Sequence, residues 1–261
     1  MRALLSRKRT LGVTAAALMV VASAAACSDE SGESNGNDGD AIADPESFMD
    51  WETCEVFDNL DPIVDLMEIE HFELDAGEIS DLPGTSVPGQ GLDQASATCF
   101  GEAHYGSVYF DTLDDEREAN GRIEIAVSPW NDAEEAQYWH EDSIRTAEDF
   151  FEATSDDHEE FEIEGDWDEG VFFTQTDSGG SHHAIFRSSS LDIRVIVNYP
   201  VDTAVITYEQ MTTDGGIELE GEPEDYQLYD FDPDEVEEWV LETYIHEVHD
   251  IVMEEIGEGA N

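Results

Sequence analysis

The chain has 261 residues, of which 66 are Asp or Glu and only nine are Lys or Arg, a formal net charge of −57 at neutral pH. That balance excludes nucleic acid as a partner, because binding it requires cationic side chains to neutralise phosphates. It does not impose disorder, since 40% of the residues are hydrophobic and 10% aromatic, enough to build a core.

Arg2, Arg7, Lys8 and Arg9 precede an apolar run from Leu11 to Ala26, which ends Ala24-Ala25-Ala26-Cys27. A basic start, an apolar stretch and small residues immediately before a cysteine read as a lipoprotein export signal. The run is 16 residues long, short of the roughly 20 that a spanning helix needs. Residues 1–26 are therefore expected to be removed and Cys27 to carry the lipid. The rest of the chain is then held on the outer face of the cell membrane through that anchor. Beyond residue 26 there are five arginines and no lysine, a formal charge of −61. Acidity spread so evenly reads as adaptation to high salt, where screening shortens the reach of like-charge repulsion. A cation-buffering surface is the alternative.

Residues 28–45, SDESGESNGNDGDAIADP, have almost nothing to bury. With Cys27 they form an acidic flexible tether over 27–46. A single α+β domain over 47–256 and a short tail, 257–261, follow. Asp61-Pro62 with Ile63, Leu66 and Met67 predicts a short helix, and the Gly/Pro-rich stretch 75–95 predicts an irregular loop. Tyr105–Asp111 and Arg122–Ser128 read as strands, and Asn120-Gly121 lies in the turn expected between them. Asn131 and Glu134 have capping-box spacing before a helix reaching Phe151, with Ala133, Ala136, Trp139, Ala147 and Phe150 on its inner side. Gly170–Thr176, Ser181–Arg187 and Leu191–Tyr199 read as strands, with Asp177-Ser178-Gly179-Gly180 as a hairpin turn. A further strand is possible at Ala204–Tyr208, although its surroundings also permit helix. Asp232, Pro233 and Glu235 open a last helix, with Val236, Val240, Tyr244, Val248 and Val252 repeating every four residues. The sum is an α+β domain with an antiparallel sheet of about five strands packed with helices.

Cys54 and Cys99 are the thiols that remain once Cys27 is lipidated, and in an exported chain two cysteines most simply make one disulfide. Chemistry is harder to find. His246 and His249, with Glu242 one turn earlier, could face a divalent ion, but HEVHD is not the zincin spacing. Asp230, Asp232 and Asp234 alternate like the start of a calcium loop, yet Pro233 intrudes and Leu241 stands at position twelve; a helix cap is the better account. His182 and His183 are adjacent on a strand and point to opposite faces. Ser178, Ser181 and Ser188 to Ser190 lie near them without a nucleophile elbow. No catalytic residue, no metal ligand and no cofactor is assigned, and the chain is read as not an enzyme.

The order Cys27, polar tether, Cys54-Glu55-Val56-Phe57, Ala97-Thr98-Cys99-Phe100 and Gly165-Asp166-Trp167-Asp168-Glu169-Gly170 ahead of strands resembles uncharacterised actinobacterial lipoproteins of the domain-of-unknown-function type. Those are similar in turn to extracellular sensor domains of membrane kinases. The resemblance implies a Cys54–Cys99 pair and a Gly-Asp turn leading into the sheet. The expected function is that of a lipid-anchored, noncatalytic binding or sensing module of the cell envelope. Its partner is an envelope protein or a small ligand, held in an apolar groove between sheet and helices. An envelope hydrolase with an unrecognised site is the alternative.

Overall fold

A computed structural model describes residues 45–74, 77–89, 95–155, 157–176, 179–214, 216, 219 and 221–259. Cys27, the expected export signal over 1–26 and residues 28–44 of the tether expected over 27–46 lie outside the described residues, as do Asp177 and Ser178 of the expected hairpin turn.

A 3-10 turn, Pro45–Asp50, opens the described part and buries Phe48, with Trp51 against it. Helices α1 (Thr53–Val56) and α2 (Asp61–Met67) follow, the second with Pro62 in its first turn and Ile63 and Met67 in the core. The strands are β1 (His71–Leu74), β2 (Glu78–Ser80), β3 (Gly84–Ser86), β4 (Ala97–Phe110), β5 (Asp115–Pro129), β6 (Glu159–Glu162), β7 (Glu169–Gln175), β8 (Gly179–Ser188) and β9 (Leu191–Pro200). They form one antiparallel sheet in the order β2-β1-β4-β5-β9-β8-β7-β6, with β3 beside β4 next to β1. Among the described residues nine strands stand where about five were expected. Four of them are short: β1, β2 and β3 flank or occupy the predicted loop, and β6 reads Glu-Glu-Phe-Glu, too charged and too brief for alternation to betray it.

Two glycines explain further departures. Asn120-Gly121 is not a turn but lies inside β5, where a Cβ on Gly121 would sit 1.9 Å from the Asn198 carbonyl oxygen. Close approach of β9, and not chain reversal, is what that glycine serves. The β4–β5 reversal instead falls at residues 111–114, where Asp114 has φ 52°. In β4, a Cβ on Gly101 would meet the Phe72 ring at 2.5 Å, so the glycine lets β1 lay its phenylalanine across the strand.

Helix α3 (Ala133–Thr154) is capped by Asp132, which accepts from the Glu135 N–H at 2.8 Å, while Asn131 donates to the Glu135 carboxylate. The cap is thus one residue later than the Asn131–Glu134 spacing suggests. The buried stripe is Ala136, His140, Ala147 and Phe151; Trp139 and Phe150, expected inside, are each 40% exposed. Ala204–Tyr208 is not a strand: the Asp202 carboxylate accepts from the Ala204 and Val205 N–H groups and starts helix α4 (Thr203–Glu209). Helix α5 (Pro233–Trp239), capped by Asp232, runs through a π-helical turn (Val240–Tyr244) into α6 (Ile245–Gly259). Val236, Val240, Tyr244, Val248 and Val252 are all buried. In a regular α-helix a four-residue repeat drifts by about 40° per step, and the wider π turn takes up part of that drift.

The disulfide joins Cys54 of α1 to Cys99 of β4, with Cα atoms 4.8 Å apart. It binds the N-terminal helices to one face of the sheet. On that face Phe72, Ile123, Ile125, Phe172, Phe186, Ile193 and Val195 meet the hydrophobic stripe of α5–α6, forming the main core. Helix α3 covers the other face over β7, β8 and β9 through a smaller cluster of Ala147, Phe151, Phe173 and Ile185.

Candidate functional site

Because α3 spans only the β7–β9 half of its face, the β1, β4 and β5 half has no helix over it among the described residues. Strand alternation decides which side chains stand there. From β1 come His71 and Glu73, from β4 Phe100, Glu102 and His104, and from β5 Asn120, Arg122 and Glu124. The register aligns them in rows: His71, His104 and Asn120 form one, and Glu73, Glu102 and Arg122 the next. A cleft of about 430 Å³ opens here, lined by Glu73, Leu74, Phe100, Gly101, Glu102, Gly121 and Arg122. A second, of about 310 Å³, is lined by Phe57 and Pro62 on one side and by Tyr244 of the π turn with Val248 and Ile251 of α6 on the other.

The electrostatics of the open half are organised around Glu124, only 4% exposed on a sheet face. Burial opposes its ionisation, but the guanidinium groups of Arg194 and Arg122 more than offset this and hold its carboxyl below the usual carboxylate range. Arg194 donates through Nη2 to Glu124 Oε1 at 2.9 Å, and Arg122 donates through Nε to Oε2 at 3.0 Å. Two of the five arginines beyond residue 26 are thereby fixed beside the cleft. A guanidinium has five donors, so Arg122 retains some for a further acceptor.

In the first row His71 and His104 stack with ring centroids 4.5 Å apart. His104 Nδ1 lies 2.7 Å from Asn120 Oδ1 and its Nε2 lies 3.6 Å from Glu70 Oε2. The ligand atoms of Glu70, His71 and His104 all fall within 4.8 Å of one another, and among the described residues no other three His, Cys, Asp or Glu converge in this way. A β-bulge follows directly, between His104 and Gly106, and Tyr105 turns into the core to donate to the Asn198 carbonyl at 2.9 Å.

The residues weighed from sequence alone are placed elsewhere. His182 and His183 do part to opposite faces. His182 is wholly buried, its Nδ1 2.9 Å from Thr174 Oγ1, which donates to Glu237 at 2.8 Å, and its Nε2 3.3 Å from the Tyr199 hydroxyl. His183 packs against Phe150 and Phe151 of α3. Burial pushes both imidazoles down to about 4, so they are neutral at pH 7. Ser181 donates to Asn198 Oδ1, and Ser188 meets His249 Nε2 at 3.2 Å. His249 is buried against Trp167, beside His246, whereas Glu242 is exposed and joins no ligand set with them. Asp232 serves as the helix cap, and Asp230 is exposed.

Sequence reasoning passed over His71 and His104 because 33 residues separate them and no motif spacing links them. Only the pairing of β1 with β4 brings them together. No family model, no curated protein and no solved structure matches the chain.

Proposed function

We propose that the protein is a lipid-anchored, extracytoplasmic, noncatalytic binding module of the cell envelope, tethered by Cys27, whose ligand occupies the open half of the sheet. The observation that carries this reading is the half-covered face itself. Helix α3 shelters β7–β9 and leaves a charged cleft over β1, β4 and β5. The lining fits a small zwitterion. Glu73 and Glu102 can receive an ammonium group, the free donors of Arg122 a carboxylate, and the Phe100 ring an apolar or cationic part. That chemistry differs from the apolar groove expected from sequence. The export signal and the resemblance to actinobacterial lipoproteins and kinase sensor domains support the envelope location, and the even acidity supports a high-salt medium.

Calorimetric titration of the full chain with a panel of free amino acids in molar NaCl tests the binding reading. A saturable signal with at least one of them, weakened about tenfold or more in Glu102→Gln, is expected. Absence of any saturable signal, or one that Glu102→Gln and Arg122→Gln leave unchanged, contradicts it.

A further inference from the structure

We infer that Glu70, His71 and His104 form a binding site for a divalent transition-metal ion of the zinc class. Two imidazoles and a carboxylate are the donor types that favour zinc, cobalt, nickel and copper over magnesium and calcium, which prefer oxygen alone.

Three features support the assignment. First, the separation is right. Ligands at about 2.0–2.1 Å from a tetrahedral ion stand about 3.4 Å from one another, and His104 Nε2 to Glu70 Oε2 is 3.6 Å. All three ligand atoms lie within 4.8 Å, so closure on an ion needs only small side-chain adjustments.

Second, His104 is oriented as metal-bound histidines are. Asn120 Oδ1 can only accept, so the hydrogen bond of 2.7 Å places the proton on Nδ1. The Nε2 lone pair is then left facing Glu70. A second partner that fixes the tautomer in this way strengthens metal binding.

Third, the pair is held by the sheet. His71 and His104 are register partners of β1 and β4, and the Glu70 N–H donates to the His104 carbonyl at 2.9 Å. The ligand side chains are partly accessible: His104 is 13% exposed and Glu70 59%, so an ion can enter. Three protein ligands leave a fourth position for water or a solute. Glu73 and Glu102 in the adjacent row add negative potential that concentrates cations here. The assignment does not rest on the lipid anchor or on a zwitterion in the cleft.

The test is titration of the full chain with Zn²⁺ by calorimetry and with Co²⁺ by visible absorption, in excess Ca²⁺ so that scattered carboxylates are occupied. One ion per chain is expected, with the d–d bands of a nitrogen-ligated cobalt site in the unaltered protein. His71→Gln and His104→Gln each weaken Zn²⁺ binding about 100-fold, Asn120→Ala about tenfold, and His246→Gln leaves it unchanged. The cobalt spectrum of the unaltered chain decides the matter even if a variant folds poorly. Tight binding that survives both histidine changes, binding abolished by calcium, or cobalt bands of oxygen-only type would overturn the proposal. None of these outcomes bears on the amino-acid titration.

Discussion

Glu124 and Arg194 pair at 2.9 Å across β5 and β9, with the carboxylate almost wholly removed from solvent and the guanidinium covering it. Arg122 holds the other carboxylate oxygen but is itself 57% exposed, so Arg194 is the partner that excludes water. Taking away one partner of a buried pair leaves a charge without compensation, at a cost of about 3–5 kcal/mol. With Arg122 still in place, Arg194→Met should destabilise the fold by about 2–3 kcal/mol. The double variant Glu124→Leu/Arg194→Met should recover most of that loss. Chemical denaturation of the three proteins checks the cycle; equal losses in the single and double variants would show that the charge itself is not what matters.

The buried neutral histidines set an acid sensitivity of definite sign. His182 and His183 titrate at about 4 in the fold and near 6.5 when unfolded. Between those values the unfolded chain binds more protons, so stability is full above pH 6.5 and is lost as pH falls towards 4. The loss amounts to about 1 kcal/mol per histidine between pH 7.5 and 5.5. Thermal melts at those two pH values in molar NaCl should show it, and His183→Gln should remove about half of the difference. A melting temperature indifferent to pH over this range would contradict the burial account.

Salt should stabilise the fold by screening like-charge repulsion. With 66 acidic residues, the folded state concentrates like charge that dilute buffer screens over about 10 Å or more and molar salt over about 3 Å. Raising NaCl to the molar range should increase the melting temperature by about 10 °C, equivalent to about 3 kcal/mol in a domain of this size. Equal melting temperatures in dilute and molar salt would mean that the acidity carries no salt adaptation.

The Cys54–Cys99 bond closes a sequence separation of 45 residues, which the chain-entropy model values at about 4 kcal/mol. Cys54→Ser/Cys99→Ser should therefore melt about 10 °C lower, with the N-terminal helices the first to exchange their amide hydrogens. Uniform exchange across the domain would argue against their being clipped on by this bond.

What could be read from the chain follows from how local each signal is. Val236 to Val252 announced the last helix because its buried stripe is contiguous, although the π turn that keeps the stripe facing the core leaves no mark in the four-residue spacing. Leu191–Tyr199 alternates cleanly and reads as the strand it forms, β9. The short strands escaped because β1 and β6 carry His-Phe-Glu-Leu and Glu-Glu-Phe-Glu, four residues each, too few for alternation to show and dependent on pairing with β4 and β7 for their conformation. Gly121 misled because an Asn-Gly pair favours turns locally, while the Asn198 carbonyl that demands a glycine there lies 77 positions away. The candidate site was illegible for the same reason: its cleft and its histidine pair exist only through the β1–β4–β5 register.

The proposed lipid tether holding the domain outside the cell membrane can be checked at the N-terminal peptide. Mass spectrometry of the protein extracted from membranes should find a mature chain beginning at Cys27, with a diacylglycerol on its sulfur and fatty acyl groups released by mild base. A Cys27→Ser chain should remain uncut or leave the membrane fraction. A mature terminus elsewhere, or an unmodified Cys27 in a chain that still fractionates with membranes, would contradict the account.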